Sequence, residues 1–226
     1  MKTLLVHFLP NTRSLTRRLV DAFREAIGDA ELEELDLCQD VPDLLSPAAI
    51  AAYYARLDGE TPRDVPVAAL ANMDRMTAQL KSSDIVVVAF PMYNFSMPAT
   101  VKAWFDSVML QGDTFERHPR GGYRGLLTDK KGLAIVAASG TYSTGTDGSF
   151  GMFGPDWEHA VSLAKTEFRF MGFADIRGVL AESTARPGEV RENSLNKGVA
   201  EIRAIVEEWY GGAVERTAPA DVAAVG

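Results

Sequence analysis

Asp84-Ile85-Val86-Val87-Val88-Ala89-Phe90-Pro91 decides the architecture of this chain. Six apolar residues follow one another from Ile85 to Phe90, three of them valines, with no polar residue on either alternation. A strand with one wet face alternates. An unbroken β-branched run of this length predicts a strand covered on both faces, as in a parallel sheet between two helical layers. Pro91 withholds a ladder donor and ends the run.

Similar segments lie on either side. Residues 2–8, Gly132–Ala138 and Phe173–Ala181 read as further buried strands, and residues 31–37 alternate as an edge strand does. Helical patterns separate them. Ser14 opens one, with Leu15, Leu19, Val20, Phe23 and Ile27 on its apolar face and Gly28 as its stop. Others are expected over about 67–82, from Pro98 as a first helical residue to about Leu110, over 156–171 and over 188–210. Strands spaced by helical lengths predict a doubly wound α/β fold with a five-stranded parallel sheet, helices on both faces and right-handed crossovers. Residues 40–66 carry Pro42, Pro47, Pro62 and Pro66 and a helical patch near Ala48–Leu57, too elaborate for a bare loop. Residues 113–129 are expected to form a loop or hairpin. No internal repeat or linker divides the chain, so residues 1–210 are expected to form a single domain and 211–226 a flexible tail.

Composition removes several function classes. The 226 residues carry a formal net charge of −8, which opposes binding to a nucleic-acid backbone. Arg13, Arg17 and Arg18 are the one tight basic cluster near the N-terminus, enough for a single phosphate group. No apolar run approaches the roughly 20 residues that span a bilayer, and the apolar start is too short for a signal peptide, so no membrane association is expected. Cys38 is the sole cysteine, which excludes an internal disulfide and a Cys-rich metal site. It reads as a small hydrophobe at a strand end, and the compartment as reducing and cytoplasmic. His7, His118 and His159 are scattered, and no hydrolytic constellation or metal-ligand spacing accompanies them. His7 reads as structural and His118 as a solvated loop residue.

In open parallel sheets, ligands bind beyond the carboxyl ends of the strands. Three such segments suit a phosphorylated planar cofactor. Pro10-Asn11-Thr12-Arg13-Ser14-Leu15-Thr16 precedes a helix, whose free N–H groups and dipole favour a phosphate. The alternative is that Ser14 is only a helix cap. No GxGxxG fingerprint is present. Pro91-Met92-Tyr93-Asn94-Phe95-Ser96-Met97-Pro98 offers apolar groups to cover a flat ring and an Asn to meet its polar edge, or is an ordinary turn whose Met92 and Phe95 fill the core. Ser139-Gly140-Thr141-Tyr142-Ser143 places a glycine where backbone can approach a flat ligand, or is a plain surface loop.

Pro91 to Pro98, continuing into Val101-Lys102-Ala103-Trp104-Phe105-Asp106, resembles the flavin-binding segment of the FMN-dependent NADH-azoreductases, relatives of the NAD(P)H:quinone reductases. Thr114-Phe115, Gly125-Leu126-Leu127, Lys130-Lys131 and the Ser-Gly-Thr-Tyr segment also look like that family, and the resemblance covers roughly residues 2–210. It implies a flavodoxin-like fold with strand order 2-1-3-4-5, FMN as cofactor, NADH or NADPH as cosubstrate, a quinone or azo compound as acceptor, and a homodimer. The family's phosphate-binding residues map onto Ser14, Leu15 and Thr16, with Asn11 and Arg13 in support. Its flavin-contacting run maps onto Met92, Tyr93, Asn94 and Phe95, and its loop after the fourth strand onto Ser139, Gly140, Thr141 and Tyr142. Leu9 and Pro10 stand where relatives often carry an additional serine. No side chain is implied as catalytic, since the cofactor carries the redox chemistry; Asn94 and Tyr142 are expected to line the site. A ping-pong sequence follows from one shared pocket. The aromatic stretch Tyr93–Phe105 is expected to offer surface to the second subunit. An FMN electron carrier that does not use nicotinamide, and a flavin-free interaction module on the same fold, are the competing readings.

Overall fold

A computed structural model describes residues 1–59, 70–143 and 153–214. Pro62, Pro66, the glycine-rich stretch from Thr144 and the tail from residue 215 lie outside the described residues. Five parallel strands form the central sheet: β1 (Thr3–His7), β2 (Leu32–Asp36), β3 (Ile85–Pro91), β6 (Lys131–Ala137) and β7 (Asp175–Ala181), in the order β2-β1-β3-β6-β7. This is the expected 2-1-3-4-5 arrangement, because the two intervening strands, β4 (Phe115–Arg117) and β5 (Tyr123–Gly125), form a separate antiparallel hairpin.

The unbroken apolar run in β3 is explained by its central place. Val86, Val88 and Phe90 face one layer, with Trp104 and Phe105 of α4 (Ala99–Val108) and Phe168 of α5 (Val161–Met171). Leu80 of α3 (Ala71–Lys81) joins them. Ile85, Val87 and Ala89 face the other, with Leu19 and Phe23 of α1 (Leu15–Ile27) and Ile202 and Trp209 of α6 (Glu189–Val214). Burying a side chain of this size is worth about 1.5–3 kcal/mol, so both layers depend on β3. A small satellite core joins α2 (Pro47–Asp58) to Met73 and Leu110.

Four details differ from the sequence expectation. Helix α4 begins at Ala99, with Pro98 as its cap residue. Trp104 and Phe105 are fully buried in the core, so they offer no surface to a second subunit; Val101, Trp104, Phe105 and Val108 form one inward stripe. The expected helix over 156–171 is split into a single 3₁₀ turn at Pro155–Trp157 and α5. The Glu158 carboxylate causes the break by capping the N–H groups of Ala160 (2.7 Å), Val161 (2.7 Å) and Ser162 (3.1 Å). Helix α6 runs on to Val214, past the expected end at 210.

The hairpin is docked by backbone. A Cβ on Gly125 would lie 2.2 Å from the Gly172 nitrogen, and Gly172 itself has φ +97°. Phe115, Tyr123 and Phe170 close around this contact, with ring centroids 4.8–5.8 Å apart.

Register sets up the site. Pro91 pairs with Ala137, and Ala137 with Ala181, so β3, β6 and β7 end level. His7 pairs with Ala89, two residues earlier. The segments that follow these four strands therefore emerge side by side.

Candidate functional site

The order of the sheet reverses between β1 and β3, and a cleft of about 290 Å³ opens at their carboxyl ends. Four segments line it. Pro10, Asn11, Ser14, Leu15 and Thr16 come from the loop after β1, and Pro91, Met92 and Tyr93 from the end of β3. Ala137 ends β6 and Ser139 follows it, and Thr184 and Ala185 come from the segment after β7. A larger cavity of about 640 Å³ lies elsewhere, against the outer edge of β7 between α5 and α6. The smaller cleft is the better candidate, because strand ends and a helix N-terminus converge on it.

The first wall is built for an acceptor-rich ligand. Ser14 occupies the cap position of α1 in an extended conformation, yet its hydroxyl makes no capping bond. Its loop is fastened by other means: Ser14 N–H donates to the Asn11 carbonyl (2.9 Å) and Arg13 N–H to Asn11 Oδ1 (2.8 Å). Ser14 Oγ and Thr16 Oγ1 are both buried and have no hydrogen-bond partner among the described residues. Buried hydroxyls are ordinarily paired, and an orphan costs about 1–3 kcal/mol. Two orphans two residues apart, at the cap and in the first turn of the helix, beside that turn's unused N–H groups, fit the oxygens of a phosphate monoester. Of the basic cluster, Arg18 is engaged by Glu192 (2.6 Å) and Arg17 reaches the Leu9 carbonyl (3.5 Å), while Arg13 makes no ion pair among the described residues.

The second wall is a two-residue turn. Tyr93 and Ser96 exchange backbone hydrogen bonds of 2.9 and 3.0 Å. Asn94 (φ +46°) and Phe95 (φ +71°) between them both adopt the left-handed region. A bulky residue rarely sits there, and such strain, of order 1–3 kcal/mol, collects at functional sites. Neighbours hold the turn in place. The Phe95 carbonyl accepts from His159 N–H (2.9 Å), and its ring packs on Phe153 (5.1 Å) and Trp157 (5.2 Å). Asn94 is exposed, as is Tyr93, whose ring meets Phe8 edge-on at 6.3 Å.

The third wall is the loop after β6. Ser139 is exposed on the cleft, whereas Gly140 is buried; a Cβ there would come within 2.8 Å of the Phe153 ring. The N–H groups of Ser139 and Gly140 have no partner among the described residues. Tyr142 is buried, stacks on Phe153 (5.6 Å, 24°) and lines the larger cavity instead. Burial pushes its phenol above the usual tyrosine range, so it stays protonated.

Of the sequence-predicted residues, Asn11, Ser14, Leu15, Thr16, Met92, Tyr93 and Ser139 meet in one cleft. Asn94 and Phe95 form the adjoining turn, and Gly140, Thr141 and Tyr142 stand behind Ser139. Sequence reasoning missed the segment Glu182-Ser183-Thr184-Ala185, whose last two residues form the fourth wall. It contains no glycine or aromatic residue, and Ser183, at φ +58°, conceals a left-handed turn.

Three other expected features have structural settings. His118 sits at the hairpin tip, where its Nδ1 accepts from Arg120 N–H (3.2 Å). Cys38 is half-buried, and burial raises its thiol above the ordinary value, which keeps it protonated. His7 closes β1 beside Glu34 and Asp36. Among the described residues, no cluster of His, Cys, Asp and Glu is placed to hold a metal ion, and no helix is long and apolar enough to cross a membrane.

Known proteins share this arrangement. The flavodoxin-like fold family matches residues 1–206. An FMN-dependent NADH:quinone oxidoreductase of Laribacter hongkongensis (strain HLHK9) is 32% identical over 195 residues, 86% of this chain and 92% of its own. Among solved structures, an azoreductase from Bacillus anthracis str. Sterne superposes with a TM-score of 0.80 at 23% identity, covering 92% of this chain and all of that one. An FMN-dependent NADH-azoreductase from Bacillus anthracis str. Ames Ancestor in complex with FMN gives 0.75 at 24%, covering 91% and 100%. These two likenesses establish the fold, while the sequence match is closer: the chain belongs to the flavodoxin-like fold family and, within it, to the FMN-dependent NADH:quinone oxidoreductases.

Proposed function

We propose that this chain is an FMN-dependent oxidoreductase that takes electrons from NADH or NADPH and passes them to a quinone, with azo compounds as further acceptors. One observation carries the reading: the two buried, unpartnered hydroxyls of Ser14 and Thr16, set at a helix N-terminus in the cleft between β1 and β3. Relatives named FMN-dependent NADH:quinone oxidoreductases support the reaction class.

The residues present suit FMN. Ser14, Thr16 and the first N–H groups of α1 would hold its phosphate, with Arg13 adding charge. Met92, Tyr93 and the Asn94–Phe95 turn would flank its ring, and the N–H groups of Ser139 and Gly140 would meet the ring's acceptor edge. When bound, FMN supplies the two-electron chemistry. The chain binds, orients and shields; the strained turn fixes the backbone N–H groups near Asn94 without needing a side-chain acid. One site serves both substrates in turn, which makes the kinetics ping-pong. In the same reading the protein is cytoplasmic and works as a homodimer, and residues 1–210 form one cofactor-binding unit.

The experiment is direct. The purified protein should be yellow, or turn yellow when incubated with FMN, and should oxidise NADH steadily only when a soluble benzoquinone is present. Flavin binding without NADH oxidation would leave an electron carrier; no flavin binding at all would overturn the proposal.

A further inference from the structure

The segment after β7 follows the loop after β6 contact by contact. Thr184 donates to the Ala138 carbonyl twice, from N–H (3.0 Å) and from Oγ1 (2.9 Å). Ser183 N–H donates to the Gly140 carbonyl (2.6 Å), and its hydroxyl lies 2.6 Å from that of Thr141. Glu182 completes the series. Its Oε2 accepts from Tyr142 N–H (2.6 Å) and Ser143 N–H (2.9 Å), and its Oε1 accepts from the Ser143 hydroxyl.

We infer that Glu182 is a positioning residue for the cofactor: its carboxylate sets the course of the Ser139–Ser143 loop by holding the N–H groups of Tyr142 and Ser143 on the side away from the cleft. The inference rests on the FMN reading above. Its physical basis is a division of donors between the two ends of that loop. Carboxylate–amide hydrogen bonds are charge-assisted and stronger than neutral ones, so Glu182 holds the last two N–H groups firmly. Those of Ser139 and Gly140, unpartnered among the described residues, are the ones open to a ligand. The left-handed φ of Ser183, a buried non-glycine residue, supports the assignment. Such strain persists only where surrounding contacts over-determine it, and here the contacts are those with the loop. No other carboxylate accepts from this loop among the described residues.

A carboxamide at 182 can set its oxygen on both amides and its NH2 on the Ser143 hydroxyl, but it lacks the charge that strengthens the two amide bonds. Glu182→Gln should therefore weaken FMN binding by about tenfold, equivalent to about 1.4 kcal/mol, and Glu182→Ala by more. The distinguishing readout is ligand choice, measured by quenching of flavin fluorescence with FMN and with riboflavin, which lacks the phosphate. Glu182 acts on the loop assigned to the ring, so both variants should weaken both flavins by the same factor and shift the visible absorption bands of bound FMN. A Ser14→Ala, Thr16→Val double variant should weaken FMN alone. Should Glu182→Ala fail to fold, Glu182→Gln carries the comparison, with the melting temperature of the flavin-free protein as its control. Unchanged riboflavin affinity and bands in Glu182→Gln, with FMN still bound by the wild type, would overturn this inference and leave the FMN reading intact. Absence of flavin binding by the wild type would overturn both.

Discussion

Thr3 Oγ1, on the first strand, lies 2.6 Å from the phenolic oxygen of Tyr210, on the last helix, and both residues are buried. Burial raises the Tyr210 phenol above the usual range, so it is a neutral partner. The pair joins the two ends of the described chain across 207 positions. Tyr210→Phe should destabilise the fold by about 1–3 kcal/mol, because it leaves the Thr3 hydroxyl buried and unpaired. Adding Thr3→Val should restore most of the loss. Urea denaturation of the two variants tests this, and an unchanged midpoint for Tyr210→Phe would refute it.

The orphaned hydroxyls at the cleft predict opposite effects on stability and on binding. Thr16 is fully buried, and Val matches its shape without the hydroxyl. Thr16→Val should stabilise the flavin-free protein by about 1 kcal/mol. With Ser14→Ala it should also weaken FMN by at least about tenfold, each lost hydrogen bond to a charged group being worth about 1.5–3 kcal/mol. Melting curves without flavin and fluorescence titrations with it measure the two effects. A double variant that binds FMN as well as the wild type would remove the phosphate from this helix terminus.

At Asn94 the backbone decides. A left-handed residue is free for glycine and costs a β-branched residue about 1–2 kcal/mol. Asn94→Gly should keep the fold and bind FMN. Asn94→Val should lower the melting temperature, and a bulky or charged side chain there should abolish turnover by obstructing the ring position. Equal melting temperatures for Gly and Val would show that the turn is unstrained.

His7 predicts acid sensitivity. Burial lowers its pKa below 6.5, opposed by Asp36 and Glu34 and reinforced by Arg24. The folded state thus prefers neutral imidazole, and its Nδ1 has no hydrogen-bond partner among the described residues. Stability from this preference is present above pH 6.5 and is lost as pH falls through the folded pKa. The Glu34 carboxyl, held below its ordinary value first by the Arg24 hydrogen bond, loses its contribution only below 4.5. His7→Gln should therefore flatten the decline in melting temperature below pH 6.5 while sparing the fall below 4.5. A decline of wild-type steepness in that variant would assign the acid sensitivity to another group.

Kinetics test the shared site. Varying NADH at several quinone concentrations should give parallel double-reciprocal lines. His118→Ala should retain most turnover, since its imidazole serves the hairpin tip. Intersecting lines would indicate that both substrates bind together.

The sequence made the sheet readable because hydrophobic runs such as Ile85–Phe90 depend on burial alone. Trp104 and Phe105 show the limit. Aromatic content suggested surface, while their spacing with Val101 and Val108 held the inward stripe that the fold uses. Ser14, Leu15 and Thr16 were legible because a helix start after a strand has local chemistry. Glu182-Ser183-Thr184-Ala185 was not. Its part depends on a neighbour some 40 positions away and on a left-handed serine that no residue type announces.

Among the described residues strand β7 bonds to β6 alone, whereas β3 is bonded on both sides. The clamp on the Ser139–Ser143 loop is thus anchored to the sheet's margin rather than its centre. Amide hydrogen exchange should reveal a subglobal opening in which Ala138, Ser183 and Thr184 lose protection together while Val86 to Phe90 remain closed. Cofactor exchange could then proceed through that opening without global unfolding, so flavin off-rates would track the fraying of an edge strand.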